Sequence, residues 1–140
     1  MIKKHGSAHW EGGLKDGQGR LSTETGALSD QPYSFATRFE SSRGTNPEEL
    51  IGAAHASCCA MAMSNGLGQA GLTATSIDAT STVTLDPSKG EITQVHVEVV
   101  AAITGIDDAR FQEIAEATKA GCPVSKVLAG AQITMSARLA

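Results

Sequence analysis

Residues 50–63 are almost wholly small or apolar, and they follow directly on Asn46-Pro47-Glu48-Glu49. Asn46 suits an N-cap, Pro47 the first helical position, and Glu49, three residues after the cap, the acidic half of a capping box. The helix start is therefore well marked. From Leu50 through His55, Cys58, Cys59 and Met61 to Met63 no face is polar, so the helix is expected to be buried all round. It should close near Ala70-Gly71, where glycine takes the left-handed conformation. A chain of 140 residues is one ordinary domain by length, and an intimate dimer would enlarge its modest core around such a helix.

The segments on either side read mainly as strands. Before the helix, residues 8–11, 20–24 and 34–39 are candidate strands, with Asp16-Gly17 and Thr25-Gly26 as plausible hairpin connections. After it, residues 76–85 place Ile77, Ala79, Ser81, Val83 and Leu85 on one face. Residues 92–103 continue the period of two with Val95, Val97, Val99, Ala101 and Ile103. Pro87-Ser88-Lys89-Gly90 turns the chain between these two strands, making a hairpin long enough to cover the central helix. Asp107 or Asp108 then caps a helix to Ala120, with Phe111, Ile114, Ala115 and Thr118 on one stripe and Gly121 as its stop. Cys122-Pro123 opens a short helix to Leu128, and residues 133–139 form a closing strand. The order of strands, helix, strands, helices and strand is α+β rather than doubly wound.

Charge and composition narrow the partners. The formal net charge is -4, and Lys and Arg are scattered, so the basic patch expected for nucleic acid or an anionic membrane is missing. No charge-free apolar stretch reaches the ~20 residues that cross a bilayer, and Met1-Ile2-Lys3-Lys4-His5 leads into Gly6 rather than a secretory apolar core. A cytoplasmic location and a small-molecule ligand are the expectation. In that compartment three cysteines do not read as a structural disulfide framework, which makes reactive thiols the alternative to buried filler.

A cysteine reacts as thiolate, and lowering its pKa takes a nearby cation or a helix N-terminus. Cys122 has the second device if Pro123 is the first helical residue, for its sulfur then lies beside unpaired backbone N–H groups. A linker cysteine that happens to precede proline is an equal reading of the same residues. Cys58 lies well inside its helix and needs a side-chain cation, for which Arg38 is a candidate and Arg20, Arg43 and Lys15 are rivals. His55 and Cys58 are three apart and suggest a metal pair, but no second Cys/His pair with ligand spacing accompanies them. A hydrogen-bonded core histidine is favoured over zinc. Trp10, Tyr33, Phe35 and Phe39 are pocket wall if they rim Cys58 and plain packing if they do not.

Residues 33–40, the segment from Gly44-Thr45-Asn46-Pro47-Glu48-Glu49 to Ala56-Ser57-Cys58, and Ala120-Gly121-Cys122-Pro123-Val124-Ser125 together resemble the osmotically inducible protein C family. Length and motif order match from end to end. Ala8-His9-Trp10-Glu11-Gly12 and Ser22-Thr23-Glu24-Thr25-Gly26 are similar to its osmotically induced peroxiredoxin branch. The resemblance implies an intertwined homodimer acting as a thiol peroxidase on organic hydroperoxides, reset by a dithiol reductant and using no cofactor. It also implies roles: Cys58 as the attacking cysteine, Cys122 as the resolving one through a disulfide within the subunit, and Arg38 with Glu48 as the polar pair that holds Cys58 ionised. Glu48 and Cys58 are ten positions apart, a rise of roughly 15 Å on one unbroken helix, so either the helix breaks or Arg38 and Glu48 come from a neighbouring subunit. Cys59 departs from the family, where an aromatic residue is usual, and reads as core filler.

Two readings of other classes remain. Cys122-Pro123-Val124-Ser125 resembles a monothiol oxidoreductase site of the thioredoxin superfamily, although there the motif follows the first strand and here it comes near the end. An apolar-ligand carrier or redox-sensing module without turnover is the non-enzymatic alternative.

Overall fold

The computed structural model describes residues 1–140, which divide into two compact units, Met1–Leu50 and Ile51–Ala140. The first unit holds β1 (Gly6–Glu11), β2 (Gln18–Thr23) and β3 (Gln31–Tyr33), an antiparallel sheet in that order. Gly19 is the pivot of its register, facing Trp10 on one side and Tyr33 on the other. The two rings lie 5.5 Å apart over that position, and a Cβ there would collide with both. Glycine is what lets the aromatic pair close.

Residues 34–39 do not extend this sheet. They form α1 (Phe35–Phe39), because Ser34 and Thr37 exchange side-chain and backbone hydrogen bonds in a complete capping box. The alternation of apolar residues there suggested a strand, and a local cap outweighs so short a pattern. Arg38 consequently sits in the last turn of a helix.

Helix α2 (Pro47–Gln69) is a single unbroken element that starts at the end of the first unit and runs through the second. Asn46 Oδ1 accepts from the Glu49 N–H at 2.8 Å, the forward half of the expected box. The far end closes as anticipated: Gly71 has φ +76° and the Leu72 N–H reaches the Leu67 carbonyl at 2.9 Å.

The second unit packs the rest of α2 with a three-stranded sheet ordered β4 (Ser76–Asp86), β5 (Glu91–Ala102), β6 (Gln132–Leu139). The β4–β5 hairpin is antiparallel; β6 joins β5 in parallel, which requires the crossover through α3 (Asp108–Gly121) and α4 (Pro123–Val127). The core gathers Val97, Val99 and Ala101 of β5, Phe111, Ile114 and Ala115 of α3, and Cys59, Met63 and Leu67 of α2. Each large apolar side chain sealed here contributes about 1.5–3 kcal/mol.

The expectation that α2 is buried on every face is corrected by one chain. Its sealed stripe is Gly52, His55, Cys59, Met63 and Leu67, spaced three or four residues apart. Ala53, Ala54, Ser57 and Met61 remain exposed, Met61 at 76%. A helix of small and apolar residues has only one face that its own chain can cover. No helix of the protein is long and apolar enough to cross a membrane.

Candidate active site

Cys58 and Cys122, 64 residues apart in the chain, meet with their sulfurs 2.8 Å apart. Both are free thiols, Cys58 half-buried and Cys122 fully buried. Their approach is built from two local features. Cys58 lies on the flank of the buried stripe of α2, while Cys122 ends α3 and caps α4, its extended backbone conformation turning the chain before Pro123. The halt at Gly121 and the restart at Pro123 are what aim the second sulfur at the first.

The electrostatics of the pair are unequal. Burial first, and then the hydrogen bond with Cys122, pushes the Cys58 thiol up, against which the Val124 backbone N–H acts. Burial opposes ionisation of Cys122 too. There, however, the Cys58 thiol, the amide and hydroxyl of Ser125 and the Cys59 thiol outweigh it and bring the pKa below the ordinary thiol value. The Ser125 amide belongs to the first turn of α4, whose N–H groups have no partner within the helix and favour the anion. The groups that move Cys58 are thus burial, a thiol and an amide, with no guanidinium among them.

Arg38 and Glu48 are brought together within the first unit. The Arg38 Nη2 donates to Glu48 Oε1 at 2.7 Å, and Nε donates to the two carboxylate oxygens at 3.1 and 3.3 Å. This forked contact fixes the plane of the guanidinium. Beside it is a cleft of about 210 Å³ whose lining includes Trp10, Leu14, Tyr33, Phe35, Phe39 and Arg38. The four aromatic residues noted in the sequence all line this cleft, but Cys58 is not among its lining residues, so within one chain they do not rim the reactive cysteine. Two of the three rival cations are occupied elsewhere: Arg20 donates to the Asp30 carbonyl at 3.1 Å, and Lys15 lies 5.9 Å from the Phe35 ring centroid.

A buried polar chain behind the thiols was only partly anticipated. His55 is fully buried; its Nδ1 is 2.9 Å from Ser81 Oγ and its Nε2 is 2.7 Å from Ser125 Oγ. The hydrogen-bonded core histidine is confirmed, with burial holding its pKa below the ordinary imidazole value. Ser125 in turn lies 4.0 Å from Cys59 Sγ. Cys59 is sealed in the core, and burial foremost, then the neighbouring Cys122, pushes its thiol up to about 12. The serines were the missing residues. Ser81 is the polar member of an inward-facing row of β4, and Ser125 stands three residues after a cap, on the turn that faces back toward it; both signals are present in the sequence.

The pairing of His55 with Cys58, set aside in the sequence for want of a second ligand pair, is not the one the fold assembles. His55, Cys59 and Cys122 are the donors that converge, their ligand atoms all within 4.8 Å of one another. A search for paired spacings misses this set because its third member arrives from another helix.

Comparison with known proteins places these features in a wider group. A family model described as OsmC-like protein matches residues 40–137. The chain is 54% identical over 140 residues to the peroxiredoxin OsmC of Escherichia coli K12, covering 99% of this chain and 97% of that protein. Among solved structures, the organic hydroperoxide resistance protein OsmC of Legionella pneumophila has a TM-score of 0.73 at 23% identity, covering 98% of this chain and 97% of that one. OhrB of Bacillus subtilis, also an organic hydroperoxide resistance protein, has a TM-score of 0.66 at 23% identity over 96% and 98% of the two chains. At that identity the two structures establish the α+β fold.

Proposed function

The chain belongs to the OsmC-like protein family, and on that premise we propose that Cys58 and Cys122 are the attacking and resolving thiols of a peroxidase that reduces organic hydroperoxides to alcohols. The observation that carries the reading is the 2.8 Å between two free thiols so distant in sequence.

The chemistry follows from that contact. The Cys58 thiolate attacks the terminal oxygen of the hydroperoxide; the O–O bond breaks, the alkoxide takes a proton and leaves as alcohol, and Cys58 becomes a sulfenic acid. Cys122 then attacks the Cys58 sulfur, the hydroxyl leaves as water, and a disulfide closes within the subunit. The thiol neighbours and the Ser125 amide and hydroxyl that lower the Cys122 pKa favour this second step. A dithiol reductant returns both sulfurs by exchange.

The first step needs Cys58 ionised, and its own surroundings oppose that. Arg38 is the cation we assign to it, with Glu48 holding the guanidinium in place, and both act on the Cys58 of a second copy. Three observations support this arrangement. Glu48 and Cys58 lie on one unbroken helix at a separation of roughly 15 Å. The uncovered face of α2 is small and apolar, as an interface between copies requires. The aromatic cleft next to Arg38 gives an organic peroxide an apolar wall and a charge at one end. Each chain is then one peroxidase domain of residues 1–140, active as a homodimer.

The test is complementation. Arg38→Ala and Cys58→Ser proteins are each expected to be nearly inactive against cumene hydroperoxide with a dithiol present. Unfolded and refolded together in equal amounts they should recover about a quarter of wild-type activity, since half the dimers are mixed and each of those has one complete site. No recovery in mixtures that native mass spectrometry shows to contain mixed dimers would mean that Arg38 serves the cysteine of its own chain. Unchanged turnover by Cys58→Ser alone would end the peroxidase assignment.

A further inference from the structure

The buried trio behind the reactive pair has the composition of a metal site. His55 and Cys59 are one helical turn apart on the sealed stripe of α2, so both project from the same face, and Cys122 enters from the start of α4. All three are fully buried, and their donor atoms already lie within 4.8 Å of one another.

We infer that His55, Cys59 and Cys122 bind a thiophilic divalent cation of the zinc class in the reduced protein, and that the bound ion withholds Cys122 from disulfide formation. The second half rests on the resolving role given to Cys122 above; the first half does not. The donor set decides the class of ion. Two thiolates and an imidazole suit Zn²⁺ or Cd²⁺ and exclude Mg²⁺ and Ca²⁺, which take oxygen ligands.

Geometry and protonation both fit. Zinc bonds of about 2.3 Å to sulfur place two tetrahedral ligands about 3.8 Å apart, so the trio need contract by no more than about 1 Å, within reach of side-chain rotation. Imidazole binds metal as the neutral base, and the two groups hydrogen-bonded to the His55 ring are serine hydroxyls, with no carboxylate to hold it protonated. In the tautomer whose Nδ1–H donates to Ser81 Oγ, 2.9 Å away, Nε2 keeps its lone pair for the ion, and the Ser125 hydroxyl 2.7 Å from it turns aside when the ion arrives. Ser81 thus plays the outer partner that orients a metal-binding histidine. Entry is from the side of half-buried Cys58, whose sulfur lies 2.8 Å from that of Cys122. Binding releases the protons of Cys59 and Cys122, so affinity rises steeply with pH.

The experiment titrates the full-length reduced protein with Co²⁺ as a spectroscopic probe, followed by displacement with Zn²⁺ against a chromophoric chelator. One ion per chain is expected, with thiolate-to-cobalt charge-transfer absorption and the visible bands of a tetrahedral site. Cys59→Ala and the better volume match Cys59→Ser should each weaken binding at least about 100-fold, and Ser81→Ala about 10-fold to 100-fold. Circular dichroism of each variant separates ligand loss from unfolding. Cys58→Ser should bind as the wild type does. No stoichiometric binding, or binding lost in Cys58→Ser and kept in both Cys59 variants, overturns the site. Stoichiometric zinc that leaves peroxide turnover unchanged overturns the withholding of Cys122 if peroxide still forms the Cys58–Cys122 disulfide in the zinc-free protein, and overturns the resolving role if that disulfide does not form there; in either case the site itself stands.

Discussion

At Gly52 α2 lies close against β4, and replacing it with alanine sets two effects of known size against each other. Glycine inside a helix costs about 1 kcal/mol relative to alanine, so propensity alone makes Gly52→Ala stabilising. The new Cβ, however, would stand 2.8 Å from the Ser81 carbonyl oxygen. That oxygen is backbone of β4, in register with Val97 of the central strand, and it has no rotamer by which to move away. Restoring ordinary contact shifts the helix by about 0.6 Å, an overpacking strain of about 1–3 kcal/mol. The net expectation is a loss of up to about 2 kcal/mol. Gly68 on the same helix is the control, since a Cβ there meets nothing within 4 Å and Gly68→Ala should gain about 1 kcal/mol. Urea unfolding of the reduced proteins at equal concentration measures both, and the gap between the variants isolates the clash at about 1–3 kcal/mol. Peroxidase kcat/KM should fall only in Gly52→Ala, because the displaced helix carries Cys58 and loosens the His55–Ser81 bond. If Gly52→Ala proves as stabilising as Gly68→Ala, the close approach of helix and sheet, and the rigid seating of the thiols derived from it, are wrong.

Two further outcomes follow from the buried histidine. Ser125→Ala strands His55 Nε2 without a partner and should cost about 1–3 kcal/mol in the same urea assay, whereas adding His55→Leu should cost less than the two single changes summed, because both polar partners are then gone. The pH dependence has a definite sign: with its folded pKa held below the 6.5 of the unfolded chain, His55 takes up its proton more readily when unfolded, so stability is full above pH 6.5 and declines as pH falls from there through the folded pKa. Unfolding midpoints across this range should show a shallower slope in His55→Leu, and an unaltered slope would show that other groups set it.

Much of this protein could be read along the chain because the decisive signals are local. Asn46-Pro47 marks where α2 begins and Gly71 where it ends; the two-residue period of β4 and β5 and the stripe of α3 each appear within one element. Cys122 before Pro123 already specifies a cap. Residues 34–39 were misread for the same reason in reverse: a run of six has too few apolar positions to distinguish alternation from a capped turn, and the hydrogen bonds between Ser34 and Thr37 decide. The expectation of an all-round buried α2 was a statement about hydrophobicity, to which a single chain supplies only one covering face.

What tertiary structure alone decided is the company each sulfur keeps. Composition and spacing identify Cys58 and Cys122 as candidates, but a contact between residues 64 positions apart depends on the crossover from β5 through α3 and α4 to β6, whose path no local pattern encodes. The same crossover seats Ser125 on His55 and delivers Cys122 to Cys59. Local rules act over one or two helical turns, whereas the acidity of a buried thiol is governed by whatever lies within a few ångströms in space. Which residues may react was therefore written in the chain, and which of them ionises, pairs or is shut away was settled by packing.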